Sequence, residues 1–294
     1  MYQQLIKDFV QQEHLPSTYL LDATQCFLPL VRDIEAEIQA SQHGPLLIGI
    51  NGAQGTGKST MAKLLSALLT NSGHRVANLS IDDFYYSKAK RQELAKQIHP
   101  LLASRGVPGT HDVDLALRLL EQLSTADPEQ QITLPGFDKS LDDCRPVDTC
   151  DQISGPVDII ILEGWLIGAK PQTEDELTRP INDLETTEDS DGRWRSYVNQ
   201  QLAGAYQPLF EKINMLLMLQ APGFEAVLEW RSLQEKKLRE QASNGASGLM
   251  DSEDIERFIQ HFERLTRHCL RTIPDSANRV FHLDAEHRIH LSQA

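Results

Sequence analysis

Five apolar runs of about strand length recur along the chain: PLLIGI (45–50), HRVANLSI (74–81), VDIIILEG (157–164), INMLLML (213–219) and NRVFHLD (278–284). PLLIGI and VDIIILEG are continuous rather than alternating, the pattern of strands buried on both faces. Between the runs the apolar period changes. KSTMAKLLSALLTNSG reads as a helix ended by Gly73, and helical stretches follow at 87–97 and 112–124. Strands separated by helices predict an α/β fold, a five-stranded, mostly parallel sheet flanked by helices. Ahead of it, LIKDFV and FLPLVRDIEAEI carry apolar residues at three- and four-residue spacing. Residues 1–43 are expected to form an N-terminal helical extension, broken or kinked at Pro16 and Pro29, on a main domain spanning 44–294. On parallel sheets, ligands bind beyond the carboxyl ends of the strands. Loops 51–58, 82–86 and 163–168 all fall there, which predicts one site.

Two segments depart from this pattern. TEDELTRPINDLETTEDSD, 173–191, is acidic and poor in apolar residues, and reads as a solvated excursion. DSDG within it fits the DxxG of GTPases, but no apolar strand precedes it and no NKxD follows, so the match is set aside. QASNGASGLMDS, 241–252, reads as a flexible loop between two charged helices.

Composition narrows the partners. The 294 residues include 28 Lys+Arg against 42 Asp+Glu, a formal charge of −14. Nucleic-acid backbones and anionic membranes repel such a chain, so neither is an expected partner. An anionic substrate then needs local positive charge in the site. Cys26, Cys144, Cys150 and Cys269 form no CxxC pair, and are expected to be scattered reduced thiols. MYQQLIKDFVQQEHL lacks a signal peptide's apolar centre, and the longest apolar run is too short to span a bilayer. A soluble, cytoplasmic protein is expected.

The most specific chemistry lies in Gly52-Ala53-Gln54-Gly55-Thr56-Gly57-Lys58-Ser59, a complete GxxxxGK[ST] followed by Thr60. Glycines let the backbone curl so that successive N–H groups converge on an anion, and the helix starting near Lys58 adds its positive end. Lys58 is expected at the β- and γ-phosphates and the Ser59 hydroxyl at magnesium. Between a buried strand and an amphipathic helix, the motif predicts nucleotide binding.

Two further acids stand at strand ends. LSIDDFYY, 79–86, brings Asp82 and Asp83 to the end of the second strand, opposite the phosphate loop. A carboxylate there suits a base for an attacking hydroxyl, or a magnesium ligand through water; its bland alternative is a helix cap. Glu163 closes DIIILEG, the form of a Walker B element, and is expected to reach magnesium through water.

The phosphate loop, SIDDFY, RGVPGTHD, PGFDKS, LEGW and EWRSLQE occur in this order. Together they resemble the P-loop small-molecule kinases related to uridine kinase, phosphoribulokinase and pantothenate kinase, and within them the D-glycerate 3-kinase family. The resemblance spans about residues 45–285. It implies transfer of the γ-phosphoryl group of ATP, with Mg2+, to a hydroxyl of a small acceptor. It implies Asp82 rather than Asp83 as the base, and Glu163 as the acid that organises magnesium. It places Arg231, in LEWRSLQE, in a helical lid over ATP at about 223–252; otherwise Arg231 is an exposed arginine pairing with Glu235.

Arg105 and His111 in RGVPGTHD, with Lys139 in FDKS, offer cations and an imidazole suited to an anionic, hydroxylated acceptor. Asp112 reads as a helix cap, and Tyr85 and Trp165 either wall the acceptor pocket or belong to the core. Plant members read RGNAGSHD and YNKS at the corresponding places, so Asp138 adds a negative charge near the expected acceptor. D-glycerate, phosphorylated at its primary hydroxyl, is the expected acceptor. The rivals are a kinase for pantothenate, a nucleoside or a sugar, and a regulatory protein that hydrolyses ATP as a switch.

Overall fold

A computed structural model describes residues 2–40, 44–231 and 252–291. Most of the expected lid, with Glu235 and the loop expected from 241, lies outside the described residues.

The chain opens with helices α1 (Tyr2–Gln12) and α2 (Thr18–Ala40). Strand β1 (Leu46–Gly52), helix α3 (Lys58–Asn71) and strand β2 (Val76–Ser80) follow. A 3-10 turn, Ile81–Phe84, leads to α4 (Lys88–Gln97) and α5 (Val113–Thr125). Four short strands pair beside the sheet: β3 (Gln131–Thr133) with β6 (Gln152–Ser154), and β4 (Phe137–Asp138) with β5 (Asp143–Cys144). After β7 (Ile159–Gly164) come α6 (Glu174–Leu177), α7 (Asp183–Glu188), α8 (Arg193–Gln201) and α9 (Gln207–Phe210). The rest is β8 (Met215–Gln220), a helix whose described part is 224–231 (α10), α11 (Ser252–Thr272), β9 (Arg279–Leu283) and β10 (Ile289–Leu291).

The main sheet has six strands in the order β10-β9-β8-β1-β7-β2. The five expected from the apolar runs are parallel to their neighbours. The sixth, β10, turns back antiparallel on β9. Three residues with a polar one in the middle leave no periodic pattern to find. Along β1 alternate side chains enter opposite cores. Ile48 and Ile50 meet the N-terminal helices through Phe27 and Leu30, and α3 through Leu64 and Leu65, whereas Leu47 belongs with α5, α9 and α11. The N-terminal helices thus share one core with the sheet.

Pro16 falls in the turn between α1 and α2, as expected. Pro29 does not end α2. Cys26, Phe27, Leu30, Val31 and Ile34 are all buried around it, and that burial outweighs the hydrogen bond its ring removes.

The acidic stretch 173–191 is solvated over most of its length, as expected, but it is not a loose excursion. It folds into α6 and α7, with Leu184, Glu185 and Asp189 buried. Glu185 forms two short bonds to Arg264 of α11, from Nε (2.7 Å) and Nη2 (2.6 Å), and Glu188 pairs with Arg257 (2.7 Å). DSDG is a helix start. The Asp189 carboxylate accepts from the Trp194 and Arg195 amides and pairs with the Arg195 guanidinium at 2.8 Å. Glu185 and Asp189, which read as solvent-facing by composition, are here buried counter-ions, while the other acids of the stretch stay at the surface. Among the described residues, no helix is long and apolar enough to cross a membrane.

Candidate active site

Beyond the carboxyl end of β1 the chain turns through Gly55 and Gly57, whose φ angles are +82° and +85°. L side chains rarely adopt that conformation. A Cβ on Gly55 would also stand 2.9 Å from Cβ of Trp230. The loop is therefore backed by α10, and His287, in the β9–β10 turn, bonds to the Gly55 carbonyl at 3.0 Å. The Trp230 and His287 rings lie 3.9 Å apart. Thr56 donates to the Ala53 carbonyl at 2.8 Å, and Lys58, Ser59 and Thr60 open α3.

β7 lies beside β1 with Glu163 opposite Ile50. Ser59 Oγ donates to Glu163 Oε1 at 2.7 Å, while Glu163 Oε2 is buried without a hydrogen-bond partner. A buried carboxylate oxygen lacking a donor, beside a hydroxyl, fits a place for a cation or its water. No group of three or more His, Cys, Asp or Glu that would hold a metal occurs among the described residues.

The two aspartates after β2 differ in their surroundings. Asp83 Oδ2 accepts from the Ser80 amide (3.2 Å) in a reciprocal cap of the 3-10 turn. Burial pushes its carboxyl up to about 6, aided by the charges of Asp82 and Glu163. Asp82 accepts from Tyr85 Oη (3.0 Å) and from Lys139 Nζ (2.6 Å). Burial opposes its charge, but Lys139, Lys58 and, more weakly, His111 together hold it below the usual carboxylate range. At neutral pH Asp82 is an anion facing two lysines.

Lys139 is presented by a tight turn in which Asp138 accepts from the Ser140 and Leu141 amides. The extra charge at Asp138 is therefore spent on the turn. Arg105 pairs with Asp142 and lies 5.6 Å above the Phe137 ring. Asp142 also faces the fully buried Arg91 at 3.0 Å. Tyr85 is buried, stacked on His111 at 4.4 Å and set edge-on to Phe137 at 5.2 Å. Two backbone bonds, from Tyr86 to Thr110 and from Asp112 to Phe84, join the aspartate loop to RGVPGTHD.

Asp112 caps α5 through the Leu115 amide (2.8 Å). Trp165 is core, its indole N–H donating to the Gly106 carbonyl at 3.2 Å, its ring edge-on to Phe262 of α11. A Cβ on Gly106 would strike Phe262 at 2.4 Å, so this glycine lets the loop pack directly on α11. Arg231 is half-buried at the end of the described part of α10, next to the Trp230 that backs the phosphate loop.

Beside Gly57 and Thr60 opens a cavity of about 260 Å³. Tyr19 and Pro16 of the N-terminal segment, Met61 of α3, and Leu283 and His287 of the last hairpin line it.

Comparison with known proteins shows the family to which this fold belongs. Residues 30–120 match the family described as the KAP family P-loop domain. The uncharacterized kinase mug58 of Schizosaccharomyces pombe is 32% identical over 259 residues, 79% of this chain and 88% of that protein. The chain belongs to the P-loop kinase family. Like its relatives, it is an ATP-dependent small-molecule kinase. A D-glycerate 3-kinase from Cryptococcus neoformans superimposes with a TM-score of 0.71 at 25% identity, covering 90% of this chain and 96% of that one. The chloroplastic D-glycerate 3-kinase of Arabidopsis thaliana is 29% identical over 225 residues, 74% of this chain but 46% of that longer protein.

Several residues of this kinase site carry no signal in the sequence. Tyr206 ends a π-helical turn, Leu202–Tyr206, and bonds to His111 from 95 positions away. Asp142 and His287 likewise lie in ordinary polar turns, LDDC and AEHR, that single out neither of them. Of these, the π-turn is the sort of irregularity that collects at functional sites, but it is visible only in the fold.

The Lys139–Asp82 contact gives a pH prediction. Lys139→Ala removes the strongest of the cations that lower Asp82. Burial then counts for more, the carboxyl rises, and the acidic limb of kcat/KM for the acceptor should move to higher pH. An unmoved limb would separate Asp82 from the titration that controls turnover.

Proposed function

We propose that this kinase transfers the γ-phosphoryl group of ATP to the primary hydroxyl of D-glycerate. The observation that carries the reading is Asp82, an ionised carboxylate between Lys58 of the phosphate loop and Lys139. One neighbour belongs to the donor side and the other to a cationic acceptor side. Lys139 and Arg105 supply local positive charge in a chain of net charge −14, which suits a small carboxylate. Similarity to two D-glycerate 3-kinases supports this acceptor.

In the reaction the acceptor oxygen attacks the γ-phosphorus. The bond from that phosphorus to the β,γ-bridging oxygen breaks, ADP leaves, and the hydroxyl proton passes to Asp82. The amides of Gly52, Ala53, Gln54, Gly55, Thr56 and Gly57, with Lys58, Ser59 and Thr60, hold the phosphates. Ser59 and Glu163, with Asp82 through water, would hold Mg2+, which supplies charge neutralisation across the β- and γ-phosphate oxygens. Arg231 acts as the lid arginine, a role worth about 10³–10⁵ in rate in phosphoryl transferases. Tyr85 and His111 line the acceptor side, with Trp165 beneath the loop. The cavity beside Thr60 receives the base of ATP, which makes the N-terminal helices part of the donor site.

The test is a coupled assay of ADP release with D-glycerate, pantothenate, uridine and simple sugars, and ATP, GTP or inorganic triphosphate as donor. D-glycerate is expected to give the highest kcat/KM, with 3-phosphoglycerate as product. Turnover with pantothenate or a nucleoside alone would replace the acceptor, and ATP hydrolysis indifferent to every acceptor would favour a switch. Triphosphate working as well as ATP would remove the cavity from the donor site.

A further inference from the structure

Tyr206 is fully buried, and its hydroxyl faces the backbone amides of Gly109 and His111 and the His111 ring. The Gly109 amide donates to it at 3.0 Å, and Nδ1 of His111 lies 2.7 Å away. The amide has only a proton to give, so the phenol oxygen accepts there. Among the described residues the phenol's own proton then has one recorded acceptor, the His111 ring. Nδ1 must accept it, and a neutral imidazole that accepts at Nδ1 carries its proton on Nε2. Burial pushes His111 down to about 4, so the ring is neutral at physiological pH.

The Nε2 atom is itself buried and has no hydrogen-bond partner. The ring that carries it stacks on Tyr85, whose hydroxyl donates to Asp82. An unpaired N–H therefore lies one aromatic ring from the carboxylate at the centre of the site. Buried donors are almost always paired, so one left open calls for a partner, and beside the Asp82 carboxylate an oxygen of a bound molecule is the partner that fits.

We infer that Tyr206 is a positioning residue that locks His111 as the Nε2–H tautomer, leaving that N–H to donate to an oxygen of the phosphoryl acceptor. The inference rests on the kinase reading of Asp82, and deepens it by assigning a donor to the acceptor side. The locked tautomer favours an acceptor with a carboxylate or hydroxyl oxygen at that point, and disfavours one that presents an N–H there. Loop RGVPGTHD then has a second purpose. Its Gly109 amide, by occupying the phenol oxygen, directs the Tyr206 proton towards His111.

The test has a spectroscopic and a kinetic arm, both on the full chain. Long-range 1H–15N spectra of histidine-labelled protein, with His111 assigned through H111Q, should show Nε2–H in the parent. In Tyr206→Phe the signal should become a mixture or shift to Nδ1–H. A parent in the Nδ1–H form overturns the proposal, and needs no acceptor to do so. Kinetically, Tyr206→Phe should raise KM for D-glycerate about tenfold, the scale of one net hydrogen bond, with KM for ATP unchanged. H111Q, which keeps a donor, should retain more activity than His111→Leu. Equal rises in both KM values, or equal losses in the two His111 variants, would reduce Tyr206 and His111 to structural residues. If D-glycerate is not turned over by the parent, the acceptor reading fails. The same KM comparison, run with the substrate that is turned over, then decides the role of Tyr206.

Discussion

Asp82→Asn is expected to lower kcat for phosphoryl transfer by about 10²–10⁴ while ATP binding persists, the range for losing a positioned general base. The substitution keeps the shape of the side chain and an oxygen for Tyr85 and Lys139 to bond. What it removes is the negative charge and the capacity to take a proton. Of the phosphate loop only Lys58 faces that charge, and the backbone amides that cradle the phosphates do not need it, so titration calorimetry with a non-hydrolysable ATP analogue should give an affinity close to the parent's. Steady-state turnover with D-glycerate reads the other half. Normal turnover would exclude Asp82 as the base.

Asp83→Asn is the natural control. The Asp83 carboxylate accepts from the Ser80 amide, and Asn is nearly as good a cap as Asp. Its loss should therefore register, if anywhere, in stability rather than in kcat. These two outcomes together would divide a pair of adjacent aspartates into a working group and a structural one. The division follows from which lysines each carboxylate faces.

That division marks the boundary of what the sequence makes legible. The phosphate loop is contiguous, so its eight residues and the flanking strand and helix are readable in one window. Glu163 and the aspartate pair are readable because an acid ending an apolar run must lie at the rim of a parallel sheet. The five long strands follow from their composition. Other parts depend on contacts far apart in the chain. Tyr206 meets His111, and His287 meets Gly55 from 232 positions away, and no local pattern marks either. Lys139 is readable as a cation near the acceptor, but its bond to Asp82 is not. The acidic segment shows the opposite failure. Composition alone assigns its charges to water, because the arginines that pair with Glu185 and Glu188 lie on a helix about seventy to eighty residues later.

Glu185→Ala is accordingly expected to cost about 3–5 kcal/mol of stability, the range for stripping one partner from a buried ion pair. Glu185 is fully buried and takes both Arg264 bonds, plus one from the Ile181 amide at 3.0 Å. Arg264 also donates to the Glu176 and Arg179 carbonyls, so it cannot swing out to solvent without giving up the whole corner between α6, α7 and α11. The penalty is then that of a cation left in a poorly solvated site, not merely of three lost hydrogen bonds. In a chain of this size it corresponds to a fall in Tm on the order of 10 °C, measurable by scanning calorimetry. The double variant Glu185→Leu with Arg264→Met should recover much of the loss, because apolar replacement of a buried pair is often neutral. A single variant within about 1 kcal/mol of the parent would instead mean that water reaches Arg264, with the pair behaving like one on the surface. Since α11 begins at Ser252 and carries the Phe262 that packs against Gly106 and Trp165, the same corner that holds the acidic segment also holds the floor of the acceptor loop. Weakening it should raise KM for the acceptor before it raises KM for ATP, because the phosphate loop is braced from the other side by Trp230 and His287.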